Sequence, residues 1–345
     1  MYKYKIDSFG WPQKKIIAKN PKILHCEKIF FFPNLFNRKI FYCFDLIKKK
    51  TLEQWYIDET AENFTLKKNL SFKGFFFPIK YFYLLLRLFE KLFLFRTKTF
   101  KKNEILLLGP YMHAYAHQLH EFIIRLFYIK YNNKLKKKCI LVSSNLKKIL
   151  NSNVFSFIFK DLKINYYKSN KIIFFENINY ITHIENRFVN KIFVKNIKLL
   201  KKECTEFFKI KKKNYRSYDY VLASRKKAVK RHLLNEDSLY ANLKEFKFKR
   251  IFFEDLSYDE QINLSLNVKI LIGYHGTAFS NGGLFMNKNT HILEIMHEKY
   301  PQDHAKLFSD IQGSNIKRFY CTKNYKNLDG ECNVDEIVNY IKKII

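Results

Sequence analysis

Between residues 218 and 320, short apolar runs alternate with helical patterns, and this alternation restricts the fold more than any other feature of the chain. Residues 218–223, 250–253, 268–273, 291–295 and 316–320 read as strands. Residues 235–246, 258–266 and 277–286 read as helices between them. Strands that return in one direction through helices make a parallel sheet covered on both faces. The region is therefore predicted to be a five-strand, doubly wound α/β domain. Ligands of such sheets bind beyond the carboxyl ends of the strands, so the residues just after each strand are the ones to inspect.

Upstream the alternation is looser. Residues 104–109 form an apolar run closed by Gly109-Pro110, a helical pattern follows to about Lys130, and 139–143 reads as another strand. The stretch 187–213 is helical and then heavily basic, a suitable junction. A length of 345 residues accommodates two domains, each able to bury its own core. The predicted division is an N-terminal α/β domain over 1–205 and a C-terminal one over 206–345.

Hydrophobic residues make up 47% of the chain, which excludes a disordered tail protein. A formal charge of +33 attracts anions: phosphates, acidic glycans or acidic lipid headgroups. The lysine runs at 48–50, 136–138 and 211–213 are dispersed, and no zinc-finger or RNA-binding motif occurs, so nucleic acid is not the expected partner. The six cysteines contain no CxxC pair, as expected for reduced thiols in a cytoplasmic protein. The opening segment MYKYKIDSFGWPQKK has no apolar core, so no secretory signal is expected. Residues 78–102 are rich in Leu and Phe, with Lys80, Arg87, Lys91 and Lys98 at spacings that align on one helix stripe. Two readings stand: a core helix with one solvated edge, or a helix lying in an anionic membrane interface.

The strand ends carry the chemistry. After 218–223 comes SRKKAVKR, then Asn235-Glu236. Ser224 can hydrogen-bond an anion, and Arg225 and Arg231 can fork onto phosphate oxygens. A solvated basic loop with Asn235 as a helix N-cap is the alternative. After 268–273 comes YHGTAFSNGG, where His275, Gly276 and Thr277 open a helix whose free N–H groups favour a phosphate. Gly276 permits close backbone approach. The turn has neither the spacing of a Walker loop nor that of a nucleophile elbow. Glu294, at the end of 291–295, either accepts ribose hydroxyls or pairs with Arg225 or Arg231. In the first half, His117, Glu121 and Arg125 recur every four residues and share a helix face. Glu121 is either the partner of Arg125 or, with His117, a catalytic candidate. His113 and His117 alone do not make a metal site, and no HExxH occurs.

Taken together these residues resemble glycosyltransferase family 61. Its ordered signature is matched by Ser224, Arg225, Arg231, Asn235 and Glu236, then by Gly273, His275, Gly276, Ser280 and Asn281, then by Glu294. A looser N-terminal element resembles His117, Glu121 and Arg125, with Gln118 where Trp is usual; Thr277 and Ala278 also depart from the pattern. The resemblance implies a GT-B architecture, two Rossmann-like domains facing a cleft, and inverting transfer from a nucleotide sugar. The donor set would be Ser224, Arg225, Arg231, Asn235, Glu236, His275, Gly276, Thr277, Asn281 and Glu294, with Glu121 or His117 as base. No DxD occurs, and arginines with helix N-termini can offset a leaving diphosphate, so neither a metal nor another cofactor is expected. The expected acceptor is a glycan or lipid-linked glycan, with peripheral attachment to the inner face of a membrane. The competing class is a scaffold protein with an inactive transferase fold that binds anionic lipid or nucleic acid.

Overall fold

The computed structural model describes residues 23–32, 42–45, 50–51, 98–100, 104–107, 118–167, 173–181, 191–211, 215–299 and 304–345. These divide into two compact units, an N-terminal one within 17–150 and 159–192, and a C-terminal one of 193–345 joined by 151–158.

The N-terminal unit holds β1 (Ile23–Phe32), β2 (Tyr42–Asp45), β3 (Lys50–Thr51), β4 (Lys98–Phe100), β5 (Glu104–Leu106), β6 (Ile140–Ser143), β7 (Ile164–Tyr167) and β8 (Ile173–Ile181). They form one mixed sheet in the order β3-β2-β1-β8-β5-β6-β7, with β4 also on β8. The β8, β5, β6 and β7 ladders are parallel, as is β4 on β8. The β1, β2 and β3 ladders are antiparallel. The unit is therefore α/β with a meander added at one edge, which the sequence reading of Rossmann-like domains did not include. β4 corrects the helix read over 78–102: Lys98, Thr99 and Phe100 pair with Ile173, Phe174 and Phe175, so Lys98 belongs to a strand. A sheet edge beside β8 overrides the helical spacing there, and the rest of the proposed stripe lies outside the described residues.

Between β5 and β6 the chain makes a π-helical turn, Gln118–Ile123, that runs into α1 (Ile124–Lys130). Phe122, Ile123, Leu126, Phe127 and Ile129 are buried there with Ile105 and 140–142 of the sheet. α2 (Lys147–Leu150) follows β6.

The C-terminal unit contains α3 (Asn153–Ile158), α4 (Lys191–Lys211), β9 (Tyr220–Ser224), α5 (Glu236–Leu243), β10 (Lys249–Phe252), α6 (Tyr258–Asn267), β11 (Ile270–Tyr274), α7 (Thr277–Phe285), β12 (His291–Met296), α8 (His304–Gln312), β13 (Asn315–Tyr320), the hairpin β14 (Lys323–Asn324) and β15 (Gly330–Glu331), and α9 (Val334–Ile344). α4 covers residues 191–211 of the stretch read as a junction. Asp259, near the start of α6, explains why α3 joins this unit: its carboxylate accepts the N–H groups of Asn153 and Val154, both at 3.1 Å. A carboxylate at two free N–H groups of a helix start is a strong cap.

The large sheet runs β10-β9-β11-β12-β13, and every ladder in it is parallel. Period-2 alternation feeds both faces. Leu222, Ile272 and Leu293 pack with Leu239 and Leu243 of α5 and Ile337 and Ile341 of α9. Val221, Leu271 and Ile292 pack with Leu264 of α6, Phe279 of α7 and Ala305 of α8. The doubly wound sheet predicted from the alternation is thus the one observed. Because β10 lies outside β9 while β11 lies on its other side, the order of winding reverses between β9 and β11, which places a crevice at their carboxyl ends.

Candidate active site

Gly273 of β11 is paired with Ala223 of β9 at this crevice. A Cβ on Gly273 would stand 2.5 Å from the Ala223 carbonyl oxygen, so the two strands approach there only because residue 273 lacks one.

The loop after β9 is organised by its own polar residues. Ser224, 3% exposed, donates from Oγ to Glu236 Oε1 at 2.6 Å. The Arg225 N–H donates to Glu236 Oε2 at 3.4 Å, and the Lys226 N–H to Ser224 Oγ at 3.3 Å. Glu236 is itself buried, with Arg250 Nε at 3.8 Å. Asn235 does not cap α5. Its Nδ2 donates to the Cys332 carbonyl at 2.8 Å and its Oδ1 accepts the Cys332 N–H at 3.1 Å. A side chain spent on the backbone just after β15 cannot turn back to its own helix. His232 completes the staple: its N–H donates to Asp329 Oδ1 at 2.6 Å, and its Nε2 lies 2.6 Å from the Ala228 carbonyl.

Arg231 sits at φ 63°, a left-handed conformation unusual for a side chain with a Cβ. Its N–H donates to the Asn327 carbonyl at 3.2 Å, which helps hold it there. Arg225 folds back over this loop: Nε donates to the Arg231 carbonyl at 3.1 Å and Nη2 to the Lys230 carbonyl at 3.2 Å. Its Nη1 lies where a Cβ on Gly276 would be, so the guanidinium and the turn after β11 are in direct apposition. The two arginines and the glycine that the sequence singled out are thus brought together.

At the turn itself, His275 is 5% exposed, and its N–H donates to the Ile295 carbonyl at 2.7 Å. Its Nδ1 stands 2.6 Å from Glu294 Oε1, and Arg318 Nε donates to Glu294 Oε2 at 3.0 Å. Glu294 is fully buried. It pairs with neither Arg225 nor Arg231, as one sequence reading had it; β13 places Arg318 directly beside it in the parallel register. A carboxylate that accepts from Nδ1 fixes the histidine tautomer and orients its ring. α7 opens at Thr277, which is half-buried, and its far end is closed by Lys201 Nζ on the Met286 carbonyl at 2.7 Å and Gln312 Nε2 on the Leu284 carbonyl at 2.5 Å. Asn281 lies within α7, and its side chain is outside what is described.

In the N-terminal unit, Glu121 falls in the π-helical turn; its side chain, and the whole of His117, lie outside the described residues. Arg125 is completely buried, with Nη1 donating to the Ile181 carbonyl at 3.4 Å and the guanidinium 4.8 Å above the Phe122 ring. Single π-helical turns are rare and are frequent at functional sites. Among the described residues no three His, Cys, Asp or Glu side chains converge on a metal position.

Sequence reasoning missed Arg318, His232 and the β14–β15 hairpin. The hairpin was legible in Asn327-Leu328-Asp329-Gly330, a dense run of turn residues.

A parallel sheet wound in both directions from a switch point defines a class of α/β protein whose ligands bind at the strand ends beside it. The chain matches the glycosyltransferase 61 family over residues 115–293, more than half its length, and it belongs to that family. Its class of activity is accordingly sugar transfer from a donor to an acceptor. The match runs from the segment of Glu121 through the crevice residues of β9 and β11. A comparison with curated proteins found no match.

Proposed function

We propose that the protein is an inverting, metal-independent transferase that moves a hexose or pentose from a nucleotide sugar to a glycan or lipid-linked acceptor. The observation that carries this reading is the apposition of Arg225 with Gly276 at the switch point. A diphosphate there meets a guanidinium on one side and the first N–H groups of α7 on the other, the combination that stabilises a leaving phosphate. Arg225 and Arg231 take the diphosphate. Ser224, Asn235 and Glu236 act by shaping the loop that carries the arginines. His275, oriented by Glu294, stands beside the leaving oxygen, with Thr277 and Asn281 on α7. With protein cations in this role and no DxD in the sequence, charge neutralisation needs no metal.

The two units form a GT-B pair in this reading, with the donor on the C-terminal one. Inversion in a single displacement requires one base for the acceptor hydroxyl. Glu121 is the first candidate and His117 the second. The net charge of +33 suits an acidic or lipid-linked acceptor and peripheral residence on the cytoplasmic face of an anionic membrane. Among the described residues no helix is long and apolar enough to cross a membrane.

The test is donor turnover by the purified protein across a panel of nucleotide sugars with excess EDTA. Turnover that persists in EDTA, and falls roughly 10²–10⁴-fold in Glu121→Gln with nucleotide binding retained, supports the reading. Loss in EDTA with rescue by Mn²⁺ or Mg²⁺ contradicts metal independence. Loss in His117→Gln but not in Glu121→Gln transfers the base to the histidine. No turnover of any donor favours the scaffold alternative.

A further inference from the structure

The loop that carries Arg225 and Arg231 is bound along its second half to the β14–β15 hairpin. The Arg231 N–H donates to the Asn327 carbonyl at 3.2 Å, the Gly330 N–H to the His232 carbonyl at 3.0 Å and the Leu234 N–H to the Gly330 carbonyl at 2.8 Å. Arg231, Asn327 and Leu328 meet here with φ of 63°, 61° and 60°, a region that side chains with a Cβ seldom occupy. Such conformations persist where the surrounding structure over-determines them. Tyr274 of β11 contributes one bond, from Oη to the Leu328 carbonyl at 2.7 Å.

His232 contributes the rest. Its backbone nitrogen and its Nδ1 lie 2.6 and 3.1 Å from Asp329 Oδ1, and its Nε2 lies 2.6 Å from the Ala228 carbonyl oxygen. Ala228 belongs to the first half of the loop, where its N–H donates to the Arg225 carbonyl at 2.9 Å. Both ring nitrogens face acceptors, a carboxylate and a peptide carbonyl. A neutral imidazole has one N–H and can serve only one of them, whereas an imidazolium serves both. The side chains of His232 and Asp329 are 30% and 18% exposed, so the pair is partly withdrawn from screening by solvent.

We propose that His232 is a positioning residue for the donor arginines: as an imidazolium it clamps the two halves of their loop to the hairpin, and donor affinity falls when the ring loses its proton. The consequence for the donor rests on the nucleotide-sugar reading of the crevice. Arg225 is held by the carbonyls of Lys230 and Arg231, immediately before His232, so a loop released from the hairpin releases this guanidinium as well. The other charged or titratable groups around the clamp are Arg225, Lys230 and Arg231 on the loop, Asp329 on the hairpin, Tyr274 of β11, and Cys321, which packs against Gly330. Burial raises both Tyr274 and Cys321 above their ordinary values. Among these residue types, only histidine ordinarily changes charge between about pH 5 and 8. The protonated ring is the form that holds the loop, so the effect is full below that range and lost as pH rises through it.

The experiment takes two readouts from the full chain at pH 5.5 and pH 8. One is hydrogen-exchange protection of residues 225–235 without ligand, corrected for the intrinsic exchange rate. The other is calorimetric affinity for UDP-glucose, GDP-mannose and ADP-glucose, whose diphosphate is a diester of constant charge over this range. Protection and affinity are each expected to fall roughly tenfold on going to pH 8, the loss of one hydrogen bond to a charged group. His232→Gln has no charge and is expected to show the pH 8 values at both. His232→Arg keeps a charge and several donors and is expected to hold the pH 5.5 values at both, a rescue that a purely structural role would not produce. Asp329→Asn should match His232→Gln, and replaces it as the test if that variant does not fold. Equal protection at the two pH values, or His232→Gln behaving as the unaltered protein does, overturns the clamp. Protection that falls while the affinity of a bound nucleotide sugar stays constant overturns the positioning role and leaves the donor crevice standing. If protection falls but none of the nucleotide sugars binds, the donor reading fails and the positioning role fails with it.

Discussion

Two buried glutamates anchor the two sides of the crevice, and they do so with different chemistry. Glu236, below the loop after β9, accepts from a hydroxyl and a backbone N–H, with Arg250 at 3.8 Å. Glu294, below the turn after β11, holds a histidine at 2.6 Å and an arginine at 3.0 Å. The first anchor fixes backbone shape in a long irregular loop, where Ser224 and Arg225 also bond within the segment. The second fixes one ring in a short turn whose backbone the sheet already determines. Polar residues clustered at a strand end therefore divide into those that build the site and those that meet the ligand, and the division follows the length of the segment to be ordered.

The contrast is testable through stability. Glu294→Ala should have the larger effect, about 3–5 kcal/mol, because it strands ionisable partners in a buried setting. Chemical denaturation measures it, and a loss below about 1 kcal/mol would show that His275 and Arg318 find other partners. Glu236→Ala leaves mainly neutral donors unsatisfied and should cost about 1–3 kcal/mol by the same measurement. If the two losses come in the reverse order, the distinction between a shape anchor and a charge anchor is wrong.

A smaller effect concerns the floor under the loop, where Asn235 grips Cys332. Burial pushes the Cys332 thiol up to about 12 and raises Cys321 as well. A raised thiol pKa keeps the group protonated, and only the thiolate is nucleophilic. Cys321 and Cys332 should therefore resist alkylation in the native protein across pH 7–9 and react on unfolding, as mass mapping of labelled peptides can follow. Cys139, half-buried, should label ahead of them. Rapid native labelling of Cys332 would mean that the loop opens readily.

Much of this was legible in the sequence, and the parts that were not share a cause. The strands of the C-terminal sheet announced themselves as apolar runs at regular spacing, since burial on both faces leaves little choice of residue type. Arg225, Arg231, His275, Gly276 and Glu294 were singled out because the carboxyl ends of parallel strands gather at one edge of the sheet. The bonds among them were hidden. Arg318 became the partner of Glu294 through the β12–β13 register, and Asn235 became the partner of Cys332 across 97 residues of chain. Such pairings are set by tertiary register, which local pattern does not encode. The antiparallel edge β1–β3 and the strand at Lys98 were missed for the same reason: short strands take their identity from the neighbour they pair with.

Whether the switch-point crevice holds a nucleotide-sugar diphosphate is decided by donor turnover in Arg225→Ala beside the unaltered protein, with thermal unfolding recorded for both. A hydrogen bond to a charged group contributes about 1.5–3 kcal/mol. Turnover of the preferred donor should therefore fall at least tenfold while the unfolding transition remains cooperative and close to that of the unaltered protein. Equal turnover in the two proteins would show that Arg225 does not hold the diphosphate.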